Sequence, residues 1–339
     1  MTKLPFCRKK INVLSENSNS FCLLLFLLLF FSCQIKEEAE YIFTFGHVAN
    51  EDHTWQQAAS YFDKILNERT NGKVRVNVFP SEQLGKEVEL IRSIRAGIAD
   101  MTVTAGTLQN WSKVAAFSDM PFLLRDTTHL LALANNAIGE YLKQKILEDT
   151  GLRVVCYFQR GPRHLTSNRP IKHPDDLKGI ILRIPNVPSY VVAWQALGAK
   201  PTPMAFSEVF TSLQQGTVQA QENPLAMISS ANFSEVQDYL NLTGHVISWG
   251  YVVIGNKQLK RMPQEYQKIF LEAAQDMQVY EHRLFLEKED LLRKELMNDG
   301  MQFIEVDHEA FQQVGAEAVY NSLDEEMKEL YRKIIELGK

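Results

Sequence analysis

Residues 183–224 read RIPNVPSYVVAWQALGAKPTPMAFSEVFTSLQQGTVQAQENP. An arginine stands at the end of a short apolar strand (Ile180, Ile181, Leu182). A helix follows, a Pro201-Thr202-Pro203 turn leads into a second helix capped at Ser207, and the segment closes on a tight Glu222-Asn223-Pro224 turn. Such a scaffold holds one guanidinium (Arg183), one aromatic ring (Phe206) and one carboxamide (Asn223) at fixed separations. The set suits a small carboxylate with a hydroxylated body, because a planar guanidinium fork pairs with a carboxylate through two parallel hydrogen bonds. An arginine in or just past a buried strand needs a partner, since a buried charge left alone costs several kcal/mol. The competing reading of Arg183 is therefore an internal salt bridge, with Glu222 as the acid.

Upstream of this segment the chain alternates between strand and helix periods. Tyr41 to His47 alternates like a strand, and Thr54 is placed to cap a helix whose Trp55, Ala58, Ala59, Phe62, Ile65 and Leu66 recur at helical spacing. Asn71-Gly72 stops it, Val74 to Phe79 is a period-2 strand, residues 86–96 read as a helix ended by Gly97, and Met101 to Thr104 is a third strand. A β-α-β-α-β order implies a parallel sheet with packed helices, and ligands of such sheets sit beyond the carboxyl ends of the strands. That places His47, Glu87 and Gly106-Thr107 around one candidate pocket. Glu87 has two readings: an acceptor for ligand hydroxyls, or an acidic residue that favours the first turn of a helix. His47, Glu51, Asp52 and His53 match no metal-ligand spacing, and no metal is expected.

The alternation recurs from Leu152. A strand ending at Phe158 is followed by a basic loop, Gln159-Arg160-Gly161-Pro162-Arg163, a short helix at Asp175–Leu177, and the strand before Arg183. Two such halves, each with its own polar loop, are what a two-lobed cleft requires. Residues 263–298 hold no Gly or Pro after Pro263, which predicts a helix of roughly 50 Å, longer than one lobe. Tyr266, Ile269, Phe270, Ala273, Met277, Tyr280, Leu284 and Leu291 give it one apolar face. It reads either as a coiled-coil partner or as a spine across both lobes.

The chain has 339 residues, enough for two ordinary domains, with 45% hydrophobic and 23% charged residues. Its first residues differ from the rest. Lys3, Arg8, Lys9 and Lys10 precede an apolar run of 11 residues, Phe21 to Phe31. That is too short to span a bilayer and reads as the core of a signal peptide over residues 1–32. The run ends in Leu29-Phe30-Phe31-Ser32-Cys33, which resembles a bacterial lipoprotein processing site with Cys33 as the acylated first mature residue. The two phenylalanines depart from the usual box and leave ordinary cleavage or an uncleaved anchor open. Export accords with the cysteines: beyond the leader and Cys33 only Cys156 remains, in an apolar strand, where packing is its expected role. Removing residues 1–32 takes the net charge from −5 to −8, since four basic residues and one acid leave. Net acidity argues against nucleic acid and requires any anion site to be a local basic pocket.

In wording and spacing the 183–224 stretch resembles the solute-binding subunit of TRAP transporters, the tripartite ATP-independent periplasmic family whose members bind C4-dicarboxylates, sialic acid and sugar acids. The resemblance extends more thinly from about Tyr41 to the C-terminus. It implies an α/β fold, a two-lobed periplasmic binding protein of type II-like architecture, with the long helix as a spine across both lobes. It also implies the boundaries: a linker at 33–40, lobe I at 41–160 plus 249–288, and lobe II at 161–248 plus 289–339.

By the same resemblance Arg183 is the bidentate clamp on a ligand carboxylate. Arg163, in a Gly-x-Arg pattern, is a second charge partner, Asn223 hydrogen-bonds the carboxylate, and Phe206 is half core and half pocket wall. Where the family usually reads Val-Asp-Gly-Gln-Glu-Asn-Pro, this chain has Val218-Gln219-Ala220-Gln221-Glu222-Asn223-Pro224, which changes the strand and spares the ligand-facing turn. Sialic-acid binders carry an acid near the position of Ala105, and its absence points away from sialic acid, although Pro-Thr-Pro-Met-Ala-Phe-Ser-Glu-Val is shared with them. The implied protein is a periplasmic receptor that delivers a small organic acid, foremost a uronate or aldonate, to a small and a large membrane subunit. Ligand-driven closure, not nucleotide or another cofactor, would do its work. The runner-up ligand is a C4-dicarboxylate, whose other carboxylate would take the second arginine, and a lipoprotein that feeds a sensor in place of a transporter would carry the same site. An exported sugar-acid enzyme would need an acid–base pair or an activated nucleophile. The sequence has no Gly-x-Ser-x-Gly, no His-Glu-x-x-His and no Walker-type loop.

Overall fold

Strand periodicity, helix caps and glycine stops assemble into a single mixed sheet. The computed structural model describes residues 38–338, so the leader and the Cys33 anchor lie outside the described residues. β1 (Tyr41–Gly46) pairs in parallel with β2 (Val74–Phe79) and β3 (Met101–Thr104), joined through helices α1 (Thr54–Arg69) and α2 (Glu87–Ala96). In the second half β5 (Ile181–Ile184) pairs in parallel with β6 (Lys200–Pro203) and β7 (Ala220–Pro224). Between the halves run two long antiparallel strands, β4 (Leu152–Ser167) and β8 (Tyr239–Gly255). The sheet has nine strands in the order β2-β1-β3-β8-β4-β7-β5-β6, with β9 (Gln302–Ile304) added on β8. The β4–β8 ribbon therefore belongs to both halves and joins them.

Five expectations change in detail. His53, not Thr54, caps α1, with Nδ1 accepting from Trp55 N at 3.2 Å. The supposed loop at 159–163 is strand: β4 continues through it with a shift of register between Gln159 and Pro162, and Gly161 takes φ 71° there. A positive φ of that kind favours glycine, and the extra residue bends the strand instead of ending it. The Pro-Thr-Pro turn is β6, a strand at the edge of the sheet, where a missing N–H costs no ladder bond. The long helix (Gln264–Asn298) is the fourth, and its burial departs from a single straight face.

Along the chain the further α-helices of six or more residues are α3 (Thr127–Ala134), α4 (Ala137–Thr150), α5 (Pro188–Ala196), α6 (Val209–Gln214), α7 (Leu225–Ser230), α8 (Gln264–Asn298), α9 (His308–Ser322) and α10 (Glu325–Leu337). Phe270, Ala273, Ala274 and Met277 of α8 pack with Phe43 and Phe62 of the first half, whereas Leu296 packs with Val209, Leu213 and Phe233 of the second. The helix is a spine. Leu291, expected on the buried face, is exposed, and Phe285 is buried instead. The fifth change concerns the C-terminus, expected in lobe II as a whole. Met327 and Ile334 of α10 share a core cluster with Leu130, Leu133 and Leu142 of α3 and α4, so this last helix packs on the first half.

Candidate functional site

A cavity of about 310 Å³ lies beyond the carboxyl ends of β1, β3, β5 and β7. Arg183, Arg163, Asn223, Phe206 and Glu87 all line it; His47 does not. Both halves contribute walls: Trp55, Glu82, Glu87, Thr104 and Arg160 from one, Arg183, Met204, Phe206 and Asn223 from the other.

Arg183 comes to the cavity because β5 lies between β6 and β7, with Arg183 opposite Thr202 and Gln221. Its side chain is not solvated: the residue is 2% exposed. Nε and Nη2 both donate to the carbonyl of Met204, at 3.1 and 2.7 Å. That carbonyl holds the inner edge of the guanidinium and leaves Nη1 and the outer hydrogen of Nη2, the fork that grips a carboxylate end-on. No described carboxylate lies within salt-bridge distance of it. Burial pulls its pKa down to about 10, against the opposing pull of Glu222. The group stays charged at neutral pH and carries a desolvation cost that a ligand carboxylate would relieve. Phe206 stands beside it, its ring centroid 6.0 Å from Cζ and packed edge-on against Phe233.

Glu222 is taken by Arg163. Nε donates to Oε2 at 2.5 Å and Nη2 to Oε1 at 2.7 Å, with both residues essentially inaccessible. The internal ion pair weighed for Arg183 thus forms at Arg163, and the expected second charge partner arrives already neutralised. Burial would raise the Glu222 carboxyl, but Arg163 and the His245 hydrogen bond outweigh it and hold it at about 2. Arg163 Nη2 also donates to Asn223 Oδ1 at 3.2 Å, while Asn223 Nδ2 donates to Gln221 Oε1 at 2.6 Å. These two bonds fix the carboxamide plane and leave one amide hydrogen for a ligand.

Across the cavity Glu87, in the first turn of α2, accepts from Thr104 Oγ1 at 2.7 Å. Burial pushes its carboxyl above the usual range, opposed by the Thr104 bond and by Arg160. His47 stands one residue beyond β1, and its side chain bonds Gln56 Oε1 at 2.9 Å. There burial lowers it to about 4. It supports α1 and does not face the cavity.

Two lining residues, Arg160 and Trp55, do not stand out as site residues in the sequence. Arg160 sits at the β4 bend with its Cζ 5.7 Å from the Trp55 ring, and Nη1 is 3.8 Å from Asp119 Oδ2. Trp55 falls on the helical stripe of α1 and so reads as core. Lys86 Nζ donates to Glu208 Oε1 at 2.7 Å between two lining residues, and outside the lining Gln109 Nε2 donates to Ser189 Oγ at 3.0 Å and Asn50 Nδ2 to Ser230 O at 2.8 Å, each bond joining the two halves. Trp194 is core against His245, and Trp249 is buried beside Tyr251. Cys156 is buried, which raises its thiol well above the usual range and makes it inert. Among the described residues no helix is long and apolar enough to cross a membrane.

A mixed sheet divided by a two-strand ribbon, a spine helix, and a buried cleft guanidinium with no described carboxylate in salt-bridge distance define an extracytoplasmic binding protein of the TRAP type. The chain belongs to the family described as bacterial extracellular solute-binding protein, family 7, whose pattern matches residues 45–333. It is 46% identical over 289 residues to a solute-binding protein of Roseobacter denitrificans, covering 85% of this chain and 89% of that one. The crystal structure of a Roseobacter denitrificans TRAP solute-binding protein with bound L-galactonate superposes with TM-score 0.86 at 45% identity, over 88% of this chain and 99% of that one. The 2,3-diketo-L-gulonate-binding periplasmic protein of Escherichia coli is 35% identical, over 79% of this chain and 82% of its own length. A Haemophilus influenzae TRAP binding protein with bound L-gulonate matches with TM-score 0.82 at 30% identity, over 88% and 99% of the two chains.

Proposed function

We propose that this chain is the receptor of a TRAP transporter for a six-carbon sugar acid, an aldonate or uronate. The carboxylate docks end-on to Nη1 and Nη2 of Arg183, with the free amide hydrogen of Asn223 as a further donor and Phe206 as the wall beside it. Arg163 acts at one remove by fixing Asn223, and Glu87 accepts from ligand hydroxyls across the cleft. The observation that carries this reading is Arg183 itself: buried, bonded only to a backbone carbonyl, and lining a cavity. Relatives at 45% and 30% identity hold L-galactonate and L-gulonate, which supports the ligand class.

The cleft divides lobe I (41–160 plus 249–288) from lobe II (161–248 plus 289–324), and residues 325–337 return to lobe I. Ligand shifts an open–closed equilibrium because only the closed form touches it from both lobes. The closed form then docks on the small and large membrane subunits. The apolar run and Cys33 support export to the periplasm and a lipid anchor on the mature chain. The reading assigns no catalytic step.

A thermal-shift panel of aldonates, uronates, C4-dicarboxylates and sialic acid tests the ligand class. A ligand at 100 times its Kd stabilises the fold by about 2.7 kcal/mol. The expected result is a shift with six-carbon aldonates or uronates. A shift with C4-dicarboxylates alone replaces the ligand, and none with any acid overturns the reading.

A further inference from the structure

We propose that Arg160 and Trp55 form a second oxygen-binding subsite, apart from the Arg183 clamp, that grips the hydroxylated tail of the ligand and selects monocarboxylates over dicarboxylates of equal length. This inference rests on the receptor reading and assigns the half of the cavity that the carboxylate clamp leaves over.

Three polar atoms on lining residues are buried without a protein partner: Trp55 Nε1, Arg160 Nε and Glu82 Oε1. An indole N–H only donates and has no other outlet, and a buried donor left unmade is costly. Protein interiors rarely leave such groups unsatisfied, so three on one wall mark a place where something polar binds. Two are donors on neighbouring side chains, the Arg160 Cζ standing 5.7 Å from the Trp55 ring centroid. The third is an acceptor, and Glu87 adds another on the same wall.

Adjacent donors and acceptors match a hydroxyl, which does both. They match a second carboxylate badly. Asp119 lies 3.8 Å from Arg160 and itself accepts from Tyr190 Oη at 2.7 Å and Gly106 N at 3.2 Å. Glu82, Glu87 and Glu89 line this half with Asp119 against Lys86, Arg92 and Arg160, and Lys86 is engaged by Glu208, so carboxylates outnumber the cations left and an incoming anion meets repulsion that a neutral hydroxyl avoids. The opposite wall has the reverse balance, with Arg183 unpaired. The two ends of the cavity thus read the two ends of a sugar acid.

The test is calorimetric titration of wild type, Arg160→Gln and Trp55→Phe with L-galactonate, the four-carbon D-erythronate and the six-carbon dicarboxylate galactarate. Wild type should bind galactonate about tenfold or more tighter than either other acid. Arg160→Gln should lose about tenfold to hundredfold on galactonate, as expected for a hydrogen bond from a charged group, and under about threefold on erythronate. Trp55→Phe keeps the ring under Arg160 and deletes only the N–H, so a smaller loss confined to galactonate supports the subsite and guards against misfolding of the other variant. Equal losses on both aldonates, or none, overturn the subsite while leaving the receptor reading intact. Galactarate bound tightest by wild type and weakened by Arg160→Gln overturns it in favour of a second anion clamp. A wild type that binds none of the three overturns both readings.

Discussion

Arg163 Nε and Glu222 Oε2 lie 2.5 Å apart in a pair from which solvent is excluded. This contact decides which arginine is available to a ligand. With Glu222 committed to Arg163 and His245, Arg183 on the neighbouring strand has no acid within salt-bridge distance among the described residues. The internal pair also stiffens the floor of the cleft, because Arg163 holds Asn223 in place.

Breaking that pair should damage the fold as well as binding. Arg163→Ala leaves a buried carboxylate facing only His245, and removing one partner of such a pair costs about 3–5 kcal/mol. Urea denaturation of the ligand-free variant should show a lower midpoint. A midpoint equal to wild type would mean that Glu222 finds another partner.

Acid should unfold the protein through the same group. Glu222 is held at about 2 against an ordinary 4.5, so its contribution is present above pH 4.5 and disappears as pH falls towards 2. His47, depressed by burial to about 4 from 6.5, adds a loss that begins near pH 6.5 and is complete only below 4. His53 and His164, lowered by burial to about 3, lose stability over the same range and beyond it. Thermal melts should therefore decline from about pH 6.5 downward. A flat profile to pH 4 would contradict the burial assigned to these histidines.

Glu281 behaves oppositely. It sits on the inner face of α8 with Oε2 accepting from Gln159 N at 2.9 Å and Oε1 from Thr54 Oγ1 at 3.2 Å. Burial raises it to about 8 from 4.5, so its contribution is complete below pH 4.5 and lost as pH rises through 8. Glu281→Gln keeps the shape and one acceptor and cannot ionise. Relative to wild type its stability should rise between pH 5 and 8 by a few kcal/mol, because a tenfold change in a protonation equilibrium is worth about 1.4 kcal/mol. Parallel profiles for the two proteins would count against a protonated Glu281.

The contact between Lys86 and Glu208 joins the lobes at the solvent-exposed rim. Exposed pairs are weak, so Lys86→Ala should reduce ligand affinity at most about fivefold, less at high salt, with the thermal midpoint of the ligand-free protein unchanged. A larger loss that persists in high salt would mean that Lys86 touches the ligand.

Much of this was legible in the sequence for local reasons. Arg183 belongs to an apolar strand and Glu87 opens a helix, so each of these positions follows from one element, whereas Asn223, read as a turn residue, lies in β7. Where the outcome depended on distant packing, legibility failed. Gly161-Pro162 reads as a loop, but β8 pairs with β4 at Gln159 and again at Pro162 and carries the strand through it, with β7 joining from Arg163 onward. β8 is itself obscured by Gly244 and Gly250, which interrupt its alternation. Trp55 fits the apolar stripe of α1, and nothing in that stripe says its N–H borders a cavity. From sequence Glu222 is weighed as an acid for Arg183 alone, and its pairing with Arg163 is missed because strand register, not spacing along the chain, decides it. The amphipathic α10 can cover either half, and only the partner surface, Leu130 and Leu133, selects one.

The most direct test of the Arg183 clamp is calorimetric titration of L-galactonate into wild type and Arg183→Ala. Wild type should bind one equivalent, and the variant should lose about 3–5 kcal/mol of binding, the loss typical when one member of a buried charge pair is removed. Its ligand-free thermal midpoint should be equal or higher, because an unpaired buried charge has gone. Affinity in Arg183→Ala within a few-fold of wild type would contradict the clamp outright.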